Sequence, residues 1–183
     1  MSTRRSGIPA VGAYYRRVVE LRSMTVHDVA VLVRWDDDAD VAAAIGGRGA
    51  DWYDWPAELI RDVPWRELLI IEQAGRPIGF LQLIDASDEE SRYGGDIEPG
   101  MWALDIWIGS PNDRGRGLGA EAMKLALGRV FDQHGAEMVV IDPAVDNRRA
   151  VAFYEKLGFE RVGVREFGDD ECLVMHLSRG STD

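Results

Sequence analysis

Trp102–Gly119 reads WALDIWIGSPNDRGRGLG, an apolar strand carrying one carboxylate that runs through a short loop into a glycine-rich helix entry. Side chains alternate along a strand, so Leu104, Ile106 and Ile108 share one face and Ala103, Asp105 and Trp107 the other. Apolar residues on both faces suit a central strand covered on both sides. Asp105 is the exception. A carboxylate in such a strand is costly without a partner or a task, so Asp105 is either a structural group bonded to a neighbouring loop or part of a site. Downstream, Arg114-Gly115-Arg116-Gly117-Leu118-Gly119 sets glycines at alternate positions ahead of a helix. Uncovered backbone N–H groups and the positive end of the helix make a cradle for phosphate oxygens, and Arg114 and Arg116 add charge. No Gly-Lys-Ser/Thr follows, and the spacing is not Gly-x-Gly-x-x-Gly. The loop is therefore neither a Walker loop nor the dinucleotide fingerprint.

A second patterned stretch lies at Asp142–Phe159, where Asn147-x-x-Ala150-x-x-x-Tyr154-Glu155-Lys156-x-Gly158-Phe159 follows Asp142-Pro143. Arg-x-x-Gly-x-Gly after an apolar strand resembles the acetyl-CoA pyrophosphate loop of the GNAT N-acetyltransferases, and this second pattern resembles their other cofactor-contacting helix. The likeness covers residues 17–178 in motif order and is densest from Pro99 to Phe159. It implies an α/β fold with a mixed, mostly antiparallel central sheet, splayed fourth and fifth strands and helices on both faces. It implies acetyl-CoA as co-substrate and no metal. The pyrophosphate would lie on Arg114, Gly115, Arg116, Gly117, Leu118 and Gly119, and the pantetheine arm along Ile106, Trp107 and Ile108. Asn147 would bond the same arm.

Within that superfamily the chain is most similar to the bacterial aminoglycoside 6′-N-acetyltransferases. Met24-Thr25-Val26-His27-Asp28 with Trp35, the segment Gly75–Phe80, Pro99-Gly100 ahead of Asp105, and Asp142-Pro143 ahead of Asn147 all match. The resemblance puts the carboxylate base on Asp105 and the acid on Tyr154. It puts contacts to a cationic aminoglycoside on Gln82, Glu90, Tyr93, Asp142 and Asp169. One departure stands out: paired tryptophans common just before Gly46-Gly47 are replaced by Ala43-Ala44-Ile45. Trp52, Tyr53 and Trp55 in the next loop are either a ring-stacking surface that stands in for them or a plug for the core.

The chemistry agrees with those residue types. Acetyl transfer from a thioester to an amine needs the amine neutral, donors for the developing oxyanion, and a proton or donor for the leaving thiolate. Asp105 can take the ammonium proton, directly or through water, or orient the amine. Asn147, Ala150 and Tyr154 share one helix face, which either brings the phenol to the thioester end or packs it in the core with its hydroxyl bonded locally. Two further readings stay open. One is an acyltransferase for another amine, such as a siderophore precursor, a polyamine or a protein N-terminus. The other is a non-catalytic acyl-CoA-binding module.

The rest of the chain bounds the problem. Its 183 residues fit one domain, expected over residues 16–179 behind a loose leader at 1–15. No apolar run is long enough to span a membrane, and no apolar segment follows the N-terminal arginines as a secretory signal would require. Cys172 is the single cysteine, which excludes an intrachain disulfide and suits the cytoplasm, and the three histidines have no ligand spacing. A net charge of −11 argues against nucleic acid and suits a cationic small molecule, though it serves solubility as well.

Hydrophobic periodicity predicts strands over Arg17–Arg22, Glu67–Ala74, Pro77–Asp85, Met138–Ile141, Glu160–Arg165 and Cys172–Leu177. Helices are predicted over Val26–Trp35, Val41–Ile45, Pro56–Asp62 and Leu118–His134, and from Asp146 or Asn147 to Leu157. Gly75-Arg76 marks a hairpin turn, Asp36–Asp40 an acidic turn, and Asp85–Pro99 an acidic loop that is either solvated or a lip of the binding cleft.

Overall fold

The structure, a computed structural model, describes residues 18–44, 54–61, 63–89, 97–168 and 170–180. The strands are β1 (Val19–Ser23), β2 (Arg66–Gln73), β3 (Arg76–Asp85), β4 (Met101–Ile108), β5 (Met138–Ile141), β6 (Glu160–Phe167) and β7 (Asp170–Ser178). They form one seven-stranded sheet in the order β1-β2-β3-β4-β5-β7-β6. All neighbours are antiparallel except β4 and β5. That parallel ladder runs only from Met101↔Met138 to Ala103↔Val140, while β4 continues to Ile108. The two strands therefore part beyond Ala103, and Asp105–Ile108 lie along the opening. The mixed, mostly antiparallel sheet with splayed fourth and fifth strands is thus present.

The helices are α1 (Val29–Asp36), α2 (Ala39–Ala44), α3 (Trp55–Ile60), α4 (Leu118–Gly128) and α5 (Arg148–Lys156). Ahead of α1, the Val26–Asp28 turn is secured by Asp28, whose Oδ2 accepts from the Thr25 N–H at 2.8 Å and whose carboxylate takes both terminal nitrogens of Arg22 at 2.7 Å. Asp54 caps α3, its Oδ1 accepting from the Ala57 N–H at 3.1 Å. The expected helix from Leu118 to His134 is in place but not uniform. It is α-helical to Gly128 and then widens to a π-helical turn over Arg129–Gln133.

Two apolar cores cover the sheet. The larger joins Leu104, Leu81, Leu83, Leu69 and Ile71 of the strands to Leu118, Met123, Ala126 and Val130 of the α4 rod, and to Val151 and Tyr154 of α5. The smaller joins Ile70, Phe80 and Trp107 to Leu32, Trp35, Val41 and Trp55 of the α1–α3 arm. Neighbouring residues such as Ile70 and Ile71 go to opposite cores, as a two-residue period requires. Ile78 is an extra residue in β3. The register steps from Ile71↔Gly79 to Glu72↔Pro77, so Ile78 shares the larger core with Leu81 across a bulge.

The β2–β3 turn differs from the expectation. Gln73 pairs with Arg76, so the loop is Ala74-Gly75, with φ of 52° and 72°. Such a turn needs positive φ at both central positions. Ala74 therefore bears a strain that only Gly75 escapes, and glycine alone had marked the site. The leader at 1–15 and the Trp52–Tyr53 part of the aromatic loop lie outside the described residues.

Candidate active site

Acidic and phenolic groups gather where β4 and β5 part. The β3–β4 register sets Gln82 opposite Asp105, on the same face, and Gln82 Nε2 donates to Asp105 Oδ2. Asp105 is half-buried rather than buried as the strand pattern predicts, because it lies two residues beyond the last β5 pair. Asp142 directly follows β5 and is also half-buried. Tyr154, in the second turn of α5, is 8% exposed, with its ring edge-on to Phe153 at 5.2 Å and to Phe159 at 5.5 Å. Burial pushes the phenol well above its ordinary range, and the charges of Asp105 and then Asp142 push it further. Both carboxylates therefore act on the same hydroxyl, which stays protonated at neutral pH and can donate a hydrogen bond.

Beside this cluster the loop before α4 presents backbone donors. Gly115 and Gly117 have φ of 70° and 81°, which a side chain disfavours, and no atom lies within 4 Å of where a Cβ would stand. Backbone conformation, not crowding, is what calls for glycine here. Gly117 caps α4 with no side chain to satisfy the first N–H groups of the helix. Leu118 is 1% exposed and roots that helix in the larger core. A built-on Cβ at Gly119 would meet Ile108 at 3.7 Å and Phe153 at 3.8 Å, so Gly119 sits between β4 and α5. Orphan N–H groups at a helix N-terminus fit an anionic diphosphate. Asn147 caps α5, its Oδ1 accepting from the Ala150 N–H at 3.0 Å, which leaves the amide nitrogen outside the cap. Ile106 and Ile108 pack on the larger core, and Trp107 on the smaller.

The sequence pattern missed what holds this loop. Asp113, 3% exposed, receives Arg76 through two bonds of 2.8 Å and Arg116 at 3.1 Å. The Arg76 guanidinium holds the Asp113 carboxyl below the usual carboxylate range. The tip of the β2–β3 hairpin is thus tied to the loop. Arg114 turns toward Asp38 and Asp40 instead. A Cβ on Gly109 would stand 2.1 Å from the Trp35 ring, so α1 lies directly on the end of β4. The single hint in the sequence was the acidic run Asp36–Asp40.

Trp55 is 1% exposed, wedged against Phe80 and Trp107, and its indole N–H donates to Asp36 Oδ2 at 2.6 Å. Of the two roles open to Trp55, the structure gives it the core plug. Burial in turn pushes the Asp36 carboxyl above the usual range, against the pull of the indole bond. Glu90, Tyr93 and Asp169 lie outside the described residues.

Residues 25–167 match the acetyltransferase (GNAT) domain family. The chain is 28% identical over 167 residues to aminoglycoside N(6′)-acetyltransferase type 1 of Klebsiella pneumoniae, an alignment covering 88% of this chain and 83% of that protein. Among solved structures it superposes on the aminoglycoside acetyltransferase AAC(6′)-Ib in complex with coenzyme A, with a TM-score of 0.77 and 27% identity over 90% of this chain and 96% of that one. The same acetyltransferase in complex with ribostamycin and coenzyme A superposes equally, at a TM-score of 0.77 over 89% of this chain and 94% of that one.

Proposed function

The chain belongs to the GNAT acetyltransferase family, and on that premise we propose that it transfers the acetyl group of acetyl-CoA to the 6′-amine of an aminoglycoside. The observation that carries the proposal is the meeting of Gln82, Asp105, Asp142 and Tyr154 beside a loop of orphan backbone donors. The relatives act on aminoglycosides or are solved with them, and a polycationic substrate suits paired carboxylates and a chain of net charge −11.

Acetyl-CoA supplies an activated acetyl group as a thioester. The N–H groups of residues 115–119 and the charge of Arg116 receive its diphosphate, and the Asn147 amide together with Ile106–Ile108, beyond the last β5 pair, receives the pantetheine arm. Asp142 and Asp105 hold the substrate ammonium. Asp105, positioned by Gln82, takes one proton from it and frees the nitrogen lone pair. As the C–N bond forms and the C–S bond breaks, Tyr154 donates its hydroxyl hydrogen to the departing sulfur and regains a proton from the nitrogen, which sheds its second one on becoming an amide. Burial makes full loss of that proton costly. Protonation of Asp105 removes one of the two charges that oppose it, so the two steps assist each other. The balance is one ammonium and one thioester in, and one amide, one thiol and one proton out.

Thiol release from acetyl-CoA, measured against amines with and without a 6′-amino group, tests the proposal. Turnover limited to aminoglycosides with a free 6′-amine is expected. Activity on polyamines or lysine derivatives alone would overturn it. That second reading draws on Trp55, since one of the aromatic residues that could replace the tryptophans absent at Ala43-Ala44-Ile45 is buried in the core.

A further inference from the structure

Arg114 opens the glycine loop, yet its guanidinium points back from it. Nε donates to the Ile108 carbonyl at 2.9 Å, and Nη2 to the Gly109 carbonyl at 2.7 Å. Nη2 also reaches Asp38 Oδ1 at 2.6 Å, and Nη1 reaches Asp40 Oδ2 at 2.6 Å. The side chain is only 9% exposed. Asp38 Oδ1 accepts in addition from the N–H groups of Asp40 at 3.0 Å and Val41 at 3.2 Å, the first turn of α2. Asp40 lies 3.6 Å from Arg149 in the first turn of α5. One planar side chain therefore joins the end of β4, the start of α2 and, through Asp40, the helix that carries Asn147 and Tyr154.

We propose that Arg114 is a positioning residue of the donor site: it fixes the loop whose backbone receives the diphosphate and is not itself a phosphate ligand. The proposal rests on the acetyl-CoA reading above. Two carboxylates already balance its single charge. Swinging toward a ligand would strip donors from two backbone carbonyls and from both acids, one of which also accepts from the first turn of α2. Gly109 is held from the other side by the Trp35 ring, so the β4 end is pinned at adjacent carbonyls and by close packing. Loop shape, more than side-chain charge, then sets affinity for the donor.

The two roles give opposite signs. Coenzyme A is titrated calorimetrically into the wild type, Arg114→Lys, Arg114→Gln and Asp38→Asn/Asp40→Asn. Hydrogen exchange of amides 109–117 is followed in the same ligand-free proteins. A positioning residue predicts that the acid-pair variant binds coenzyme A about tenfold more weakly, the worth of one charge-assisted hydrogen bond, and exchanges faster at 109–117. It also predicts that Arg114→Lys is as weak as Arg114→Gln, because an ammonium cannot span the four acceptors. Tighter binding by the acid-pair variant, or wild-type affinity in Arg114→Lys, would overturn the proposal. If the acid pair does not fold, Asp40→Asn alone replaces it, with the same expected signs. A wild type that does not bind coenzyme A would defeat the donor reading instead. Exchange at 109–117 would then decide, with acceleration supporting the clasp and no change overturning it.

Discussion

On one face of β4, Leu104, Ile106 and Ile108 lie against the long α4 rod and α5; on the other, Trp107 lies against Phe80, Trp55 and three short helices. The first face is a broad aliphatic core with many interchangeable contacts. The second is a small core dominated by rings, and it contains a carboxyl group, Asp36, whose Oδ1 has no hydrogen-bond partner among the described residues. The broad core carries the glycine loop and Tyr154. The small one carries the arm that rests on Gly109 and reaches Arg114. Stability and site geometry are therefore divided unequally between the faces, and single changes in the small core ought to be felt most sharply.

Substitutions can break that contrast. Trp55→Ala is expected to cost about 3–5 kcal/mol, the range for removing a buried aromatic ring. It also strands the Asp36 carboxyl. Denaturant unfolding measures the loss. Hydrogen exchange shows whether α1 opens before α4, and simultaneous loss of protection on both faces would mean that the two cores are one cooperative unit. Next, Asp105→Asn should lower turnover about a thousandfold, within the span of general base catalysis, with little change in coenzyme A affinity. Near-normal turnover would remove Asp105 as the base. Tyr154→Phe should slow acetyl transfer about a hundredfold, since the fold loses only a hydroxyl. In the wild type, the raised phenol predicts no loss of rate from Tyr154 ionisation up to about pH 10, its ordinary value. An alkaline limb absent from Tyr154→Phe would contradict this.

The smallest effect is on acid stability. Asp28, Asp38 and Asp113 are held below their ordinary value of 3.8 once the costs of burial are met, each by an arginine partner. Their contribution is therefore complete above that value and is lost as pH falls through the lower folded values. Exposure of Arg76 and Arg22 screens two of these pairs and keeps the effect modest. Asp113→Asn should flatten the acid limb of a pH–stability curve, and an unchanged limb would rule out this pair as a contributor.

How much could be read in advance follows the same division. β4, the glycine loop, α4 and β5 announce themselves through local period and local turn chemistry, and Met138–Ile141 falls where predicted. That Asn147 and Tyr154 belong to one helix follows from local spacing, since Asn147 caps α5 and Tyr154 lies within it; their proposed roles come from the family resemblance. What escaped depends on partners far apart in the chain. Asp36, Asp38 and Asp40 read only as an acidic turn, yet one is buried under Trp55 and two hold Arg114, seventy-six residues beyond Asp38 and seventy-four beyond Asp40. A run of charge looks the same whether water or an arginine satisfies it. The π-helical turn after Gly128 and the bulge at Ile78 are likewise products of packing, with no residue type that signals them.

The parting of β4 from β5 has one more consequence. A sheet opened in its middle lacks a strand where its neighbours are best packed, and a guest carrying amide groups can fill that vacancy as a short surrogate strand. The donor's arm would then behave as part of the architecture, and thermal stability would track its supply: about 2.7 kcal/mol at a hundredfold excess over Kd. A melting temperature recorded without donor would describe an unfinished sheet, and crowding the protein with spent coenzyme would finish it as well as fresh substrate does.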